Sequence, residues 1–177
     1  MREEVIVAGY GGQGILFMGT VLANAAMEEG LEVTFFPCYG AEIRGGTANG
    51  GIVISDKKIG SPVVTRPTSV IIMNEPSYDR FFPCISSGGT AIINSSLIKN
   101  VSEKCAKIVK VPASQLAEAL GDIKVANMIL LGAYLKEIGI VPLDSAIKSL
   151  HVILKGKKKG FIGINEKALR LGTSDEY

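Results

Sequence analysis

The residues best suited to chemistry lie in two glycine-rich stretches. The first, Gly9-Tyr10-Gly11-Gly12-Gln13-Gly14, has the spacing G-x-G-x-x-G. An apolar run of strand length, Val5-Ile6-Val7-Ala8, precedes it, and Ile15-Leu16-Phe17-Met18-Gly19 follows with helical character. In that setting one glycine permits the tight turn, a second lets backbone approach an anion, and a third lets helix and strand pack closely. Free N–H groups at the helix start favour a phosphate or another anion. The same spacing also serves a purely structural turn. The second stretch, Tyr39 to Gly51, sets five glycines around the single carboxylate of Glu42 and the single guanidinium of Arg44. Arg44 has the planar fork that grips a carboxylate or phosphate bidentately, and Glu42 is placed to hold it. The bland alternative is a flexible surface loop whose Glu42–Arg44 pair contributes little.

Other chemistries lack their residues. His151 is the only histidine and falls in an amphipathic helical segment, so no Ser-His-Asp set forms. Gly12-Gln13-Gly14 has neither the lysine nor the hydroxyl of a phosphate-binding P-loop. The second strand ends Phe35-Phe36-Pro37-Cys38-Tyr39, without the acid that grips the ribose of NAD. Cys38, Cys84 and Cys105 are far apart with no C-x-x-C, which predicts buried free thiols and no metal site. Any iron–sulfur centre must sit on another polypeptide. Glu42 and Glu75 have no evident catalytic partner. The chain reads as a binding scaffold whose chemistry is completed elsewhere.

The elements that must position these loops follow an α/β pattern. A strand leads into the glycine loop, a helix runs from Gln13 to Glu29, and Gly30 caps it. Leu31–Phe36 is a strand closed by Pro37. Ile52–Ile54, a turn at Ser55–Lys58 and Ile59–Pro62 read as an antiparallel hairpin. Strands follow at Ser69–Met73, Thr90–Ile93 and Lys107–Val111, with a short helix at Tyr78–Phe82. The remainder is helical: Ala113–Leu120, Val125–Ile138, Leu143–Leu154 and Gly163–Leu171. Lys155 to Gly160 is a charged break between the last two, read as a solvated loop, with contact to an acidic partner or a phosphate as the alternative, and the Gly172–Tyr177 tail reads as frayed. The expectation is an open, mostly parallel Rossmann-like sheet with helices on both faces and one antiparallel hairpin, forming a single domain over residues 1–177. The two glycine-rich loops then share the carboxyl edge, where ligands of such sheets bind.

A chain of 177 residues with 47% hydrophobic residues can bury one sizeable core. A net charge of +2, and no interleaving of aromatic and basic residues, gives no reason to expect nucleic acid. No apolar stretch reaches the ~20 residues of a membrane span, and no leader precedes the first strand, so a cytoplasmic protein is expected.

Three ordered motifs resemble one family. Gly9-Tyr10-Gly11-Gly12-Gln13-Gly14, Tyr39-Gly40-Ala41-Glu42-Ile43-Arg44-Gly45-Gly46, and Val53-Ile54-Ser55-Asp56 to Ile59-Gly60-Ser61-Pro62 look like the gamma subunit of 2-oxoacid:ferredoxin (or acceptor) oxidoreductases. Asn127-Met128 to Leu131-Gly132 and the closing Asn165 to Gly172 match as well. The resemblance implies a complex that oxidatively decarboxylates a 2-oxoacid to acyl-CoA and CO2. Alpha and beta chains would bind thiamine diphosphate, and iron–sulfur clusters would sit in the beta or a ferredoxin-like delta chain. Ferredoxin would accept the electrons. The gamma chain would serve the coenzyme A side and be inactive alone. Carried onto this sequence, the residues implied are Gly9, Gly11, Gly12, Gln13, Gly14, Tyr39, Glu42, Arg44, Gly45, Gly46 and Thr47. The second loop looks more like the 2-oxoglutarate and branched-chain branches than the indolepyruvate one, with pyruvate left open. Two further readings stand beside this one: a free-standing nucleotide-binding Rossmann module, and a subunit that only clamps its partners.

Overall fold

The computed structural model describes residues 1–39, 47–102 and 106–174, excluding the side chain of Tyr39. Six strands form one sheet: β1 (Arg2–Tyr10), β2 (Glu32–Tyr39), β3 (Thr47–Ser55), β4 (Ser69–Ile72), β5 (Gly89–Asn94) and β6 (Ala106–Val111). Their spatial order is β2-β3-β1-β4-β5-β6. β1, β4, β5 and β6 pair in parallel. β3 runs antiparallel to both its neighbours, β1 and β2. Five strands therefore share a direction, and β1 and β2 end at the same edge.

The expected antiparallel strand is present, but its partners are not Ile59–Pro62. Residues 57–68 form no strand, and Ile52–Ile54 pair instead with Phe35–Val33 and Val5–Glu3. β2 also runs through Pro37, which faces Gly50 across the pair. An edge strand tolerates proline because the missing N–H can face away from the sheet. β3 begins at Thr47, five residues before its apolar run. Phe35 explains its glycines: a Cβ added at Gly19 would lie 2.6 Å from that ring, and one at Gly50 would lie 2.5 Å from it. The two absent side chains make the room in which Phe35 packs.

The two faces are covered unequally. One carries α1 (Ile15–Glu28), α3 (Ala113–Leu120), α4 (Ala126–Ile138), α5 (Leu143–Ile153) and α6 (Ile162–Thr173). They enclose the main core with Val5, Val7, Ile52, Ile71 and Ile92. The other face carries α2 (Glu75–Phe81) and a 3-10 turn at Phe82–Cys84, over Ile6, Ala8, Val70 and Ile72. Alternation along each strand divides its apolar residues between the two cores. α4 is buried at every residue from Ala126 to Leu135, as a helix apolar on most sides must be. It crosses α6 closely at Gly132 and Gly172, where either Cβ would strike the other helix's backbone.

Candidate functional site

The glycine loop lies where β1 meets α1. Gly14 is the N-cap of α1 in the left-handed region (φ 71°), and its carbonyl accepts the Met18 N–H at 2.9 Å. Gly12 also has positive φ, at 99°, a conformation open to glycine and costly for other residues. Among the described residues no side chain caps α1, and no acidic residue occupies its first turn. Its N-terminal N–H groups keep their positive field.

Three helices begin around one pocket of about 320 Å³. Gly14, Val125 and Phe161, the N-caps of α1, α4 and α6, all line it. None of the three gives a side-chain cap, and none of the first turns carries an acid. Lys124 and Lys158 add two ammonium groups. Among the described residues the one carboxylate in the lining is Asp122, which accepts the Lys124 N–H at 3.0 Å. Phe17, Leu154 and Phe161 supply an apolar wall. Asn127 ties this wall to the loop, its Nδ2 donating to the Gly14 carbonyl at 2.9 Å while its Oδ1 accepts the Met128 N–H at 2.8 Å. Asn165 Nδ2 donates to the Phe161 carbonyl at 2.7 Å. Among the described residues the lining includes no nucleophile paired with a base, and its helix N-termini, lysines and apolar wall suit holding an amphiphilic anion.

Of the residues singled out in the sequence, Gly12 and Gly14 line this pocket. Gly11 is exposed beside them. Gly9 is buried under the loop, and Gln13 is half-buried with its oxygen taken by the Tyr10 N–H. Tyr39 and Thr47 flank the second stretch at the same sheet edge, Thr47 paired with Tyr10 and Tyr39 with Ala48. Thr47 does not line the pocket. Glu42, Arg44, Gly45 and Gly46 lie outside the described residues.

Lys124, Asn127, Phe161 and Asn165 escape a reading for chemistry, and for Lys158 a phosphate contact is only the less favoured alternative. Lys158 belongs to the run read as a solvated loop, which here forms a 3-10 turn over Gly156–Phe161. The one sequence signal for the asparagines is their place in the two helical segments that match the gamma family. Cys84 departs from expectation: it is exposed at the end of a surface turn, while Cys38 is half-buried and Cys105 lies outside the described residues. His151 is exposed on α5. Among the described residues no helix is long and apolar enough to cross a membrane.

A doubly covered sheet with a glycine loop at its β1–α1 junction and a pocket beside it defines a Rossmann-like domain. Residues 4–174 match the model of the pyruvate ferredoxin/flavodoxin oxidoreductase family, and the chain belongs to that family. It is 37% identical over 172 residues to the ketoisovalerate oxidoreductase subunit VorA of Methanothermobacter thermautotrophicus, covering 96% of this chain and 35% of that one. It is 34% identical over 158 residues to the 2-oxoglutarate synthase subunit KorC of Methanothermobacter marburgensis, covering 85% of each chain. The chain thus spans about a third of the length of the VorA relatives and most of the KorC length. The fold is similar to a chain of the 2-oxoglutarate:ferredoxin oxidoreductase from Magnetococcus marinus, solved with 2-oxoglutarate, coenzyme A and succinyl-CoA bound. The TM-score is 0.85 at 25% identity, covering 97% of this chain and 30% of that one.

Proposed function

We propose that the chain is the gamma-type subunit of a cytoplasmic, multi-chain 2-oxoacid:ferredoxin oxidoreductase, and that its glycine-loop pocket holds the nucleotide end of coenzyme A. The observation that carries this reading is the pocket itself: three helix N-termini and two lysines beside an aromatic and aliphatic wall. Phosphates suit the first set of groups and an adenine ring suits the second. Similarity to KorC and VorA supports the reaction class, and the coenzyme A in the Magnetococcus complex supports the ligand.

In this reading Lys124 and Lys158 pair with phosphate oxygens, and the N–H groups after Gly14 hold a second anionic group. Arg44 orients a carboxylate or phosphate, steadied by Glu42, with Gly45, Gly46, Tyr39 and Thr47 shaping the loop around it. Thiamine diphosphate and iron–sulfur centres supply decarboxylation and electron transfer from alpha, beta and delta-type chains, and ferredoxin takes the electrons. The test is co-purification of the native protein, reading partner masses, thiamine diphosphate and iron together, followed by calorimetric titration with coenzyme A and NAD(H). Partners of the expected chemistry, and coenzyme A binding without NAD(H) binding, are the expected outcome. A chain that purifies alone and binds NAD(H) would overturn it.

A further inference from the structure

Gln13 lies within the glycine loop, yet its side-chain oxygen turns inward. It accepts the Tyr10 N–H at 2.7 Å and the Asn74 Nδ2–H at 3.1 Å. Asn74 is 2% exposed and follows β4, and its Oδ1 accepts the Ser77 N–H at 3.0 Å to cap α2. The direction of both amides is forced from the ends. The Tyr10 N–H requires an oxygen from Gln13, and the Ser77 N–H requires an oxygen from Asn74. Only the Asn74 amide nitrogen is then left to meet Gln13, and it is a donor facing an acceptor. Gly9 completes the arrangement: a Cβ there would lie 2.6 Å from Gln13 Oε1, 2.6 Å from Ile15 Cδ1 and 2.9 Å from Met73 Cβ. The first glycine of the motif makes the space in which this brace lies.

We propose that Asn74 is a positioning residue that, through Gln13, holds the Tyr10–Gly14 loop in the shape that presents Gly12 and Gly14 to the pocket, without touching ligand itself. Its effect on ligand rests on the coenzyme A reading above. Its effect on the loop does not. A loop freed from the brace would have to be ordered anew on each binding event, which weakens affinity.

Two substitutions separate the brace from the helix cap. Asn74→Asp keeps the cap, because aspartate ranks with asparagine there, but it sets a carboxylate oxygen against Gln13 Oε1. Gln13→Glu keeps an acceptor for both donors. The measurements on the full chain are amide exchange at Tyr10 and Gly11–Gly14, melting temperature, and coenzyme A affinity by calorimetry. Asn74→Asp should speed Tyr10 exchange about tenfold and weaken coenzyme A by roughly the same factor, with melting shifted little. Gln13→Glu should keep the wild-type exchange rate at Tyr10. If Asn74→Asp does not fold, Gln13→Ala removes the acceptor without touching the cap and should speed exchange equally. Unchanged Tyr10 exchange in Asn74→Asp or Gln13→Ala overturns the proposal, as does faster exchange in Gln13→Glu. Wild-type protein that binds no coenzyme A would count against the ligand reading, while exchange would still decide the brace.

Discussion

A Cβ added at Gly132 would collide with the backbone of Leu169 and Gly172, and one added at Gly172 with that of Ile129 and Ala133. A Cβ added at Gly12 would meet nothing within 4 Å. The α4–α6 crossing needs glycine because two backbones occupy the space, whereas the loop needs it because φ is +99° at Gly12. Gly14 combines both demands, with φ at +71° and the Asn127 side chain pressed against it. Packing glycines hold the core together, and conformational glycines shape the loop that lines the proposed ligand pocket. The two regions should therefore fail differently when altered.

The largest effect is expected at the crossing. Gly132→Ala or Gly172→Ala forces two helices apart, costing about 3 kcal/mol or more because backbone cannot swing aside as a side chain can. For a domain of this size that lowers melting by about 6–12 °C, readable by calorimetry. A melting temperature unchanged by either variant would remove the distinction between the regions.

Lys124→Ala and Lys158→Ala test the other side. Each removes a charge-assisted contact in the proposed site, which should weaken coenzyme A by about tenfold or more. Melting should stay near wild type, since Lys124 is exposed and Lys158 lies in an exposed turn. Affinity that is unchanged in both variants would place the phosphates elsewhere.

Gly12→Ala should cost about 1–2 kcal/mol through backbone strain alone. Gly12→Asn should cost less, because asparagine tolerates positive φ better. Equal losses in the two variants, followed by thermal melting, would point to a steric cause and blur the contrast with Gly132.

The smallest effect at neutral pH is expected at Tyr134, on α4 in the packed region. Its hydroxyl is buried beside Ser69 and Glu3, and among the described residues it makes no hydrogen bond of good geometry. Burial, and then the charge of Glu3, raises its pKa well above the ordinary 10.0. Below that value folded and unfolded chains both keep the proton, and stability does not depend on it. Above it the unfolded chain releases the proton while the folded chain retains it, so stability falls as pH rises. Tyr134→Phe should change stability by less than about 1 kcal/mol at neutral pH, because at most a poorly aligned contact with Ser69 is lost. It should also flatten the alkaline decline in a denaturant series from pH 9 to 11. A decline of the same steepness in both proteins would assign it to other groups.

Local sequence was enough to read the strand, glycine loop and helix from Val5 to Glu28, because alternation, turn chemistry and helical spacing all act between near neighbours. It was enough for the buried α4 too, whose apolar residues cover more than one stripe. The reading failed where glycine stands for an absent side chain. Gly50 and Gly51 resemble loop residues until Phe35 is seen to need the space above Gly50. Pro37 resembles a strand stop until β2 is seen to be an edge. The site divides in the same way. Gly12 and Gly14 announce an anion-friendly turn by themselves, as the spacing of the motif requires. Lys124, Asn127 and Lys158 join them only in space, with Asn127 reaching Gly14 across 113 residues of chain. Periodicity tells which side of a helix is buried but not which distant loop it is buried against. That choice belongs to the packing of α4 and α6 beside α1, and so the pocket was decided by the tertiary structure alone.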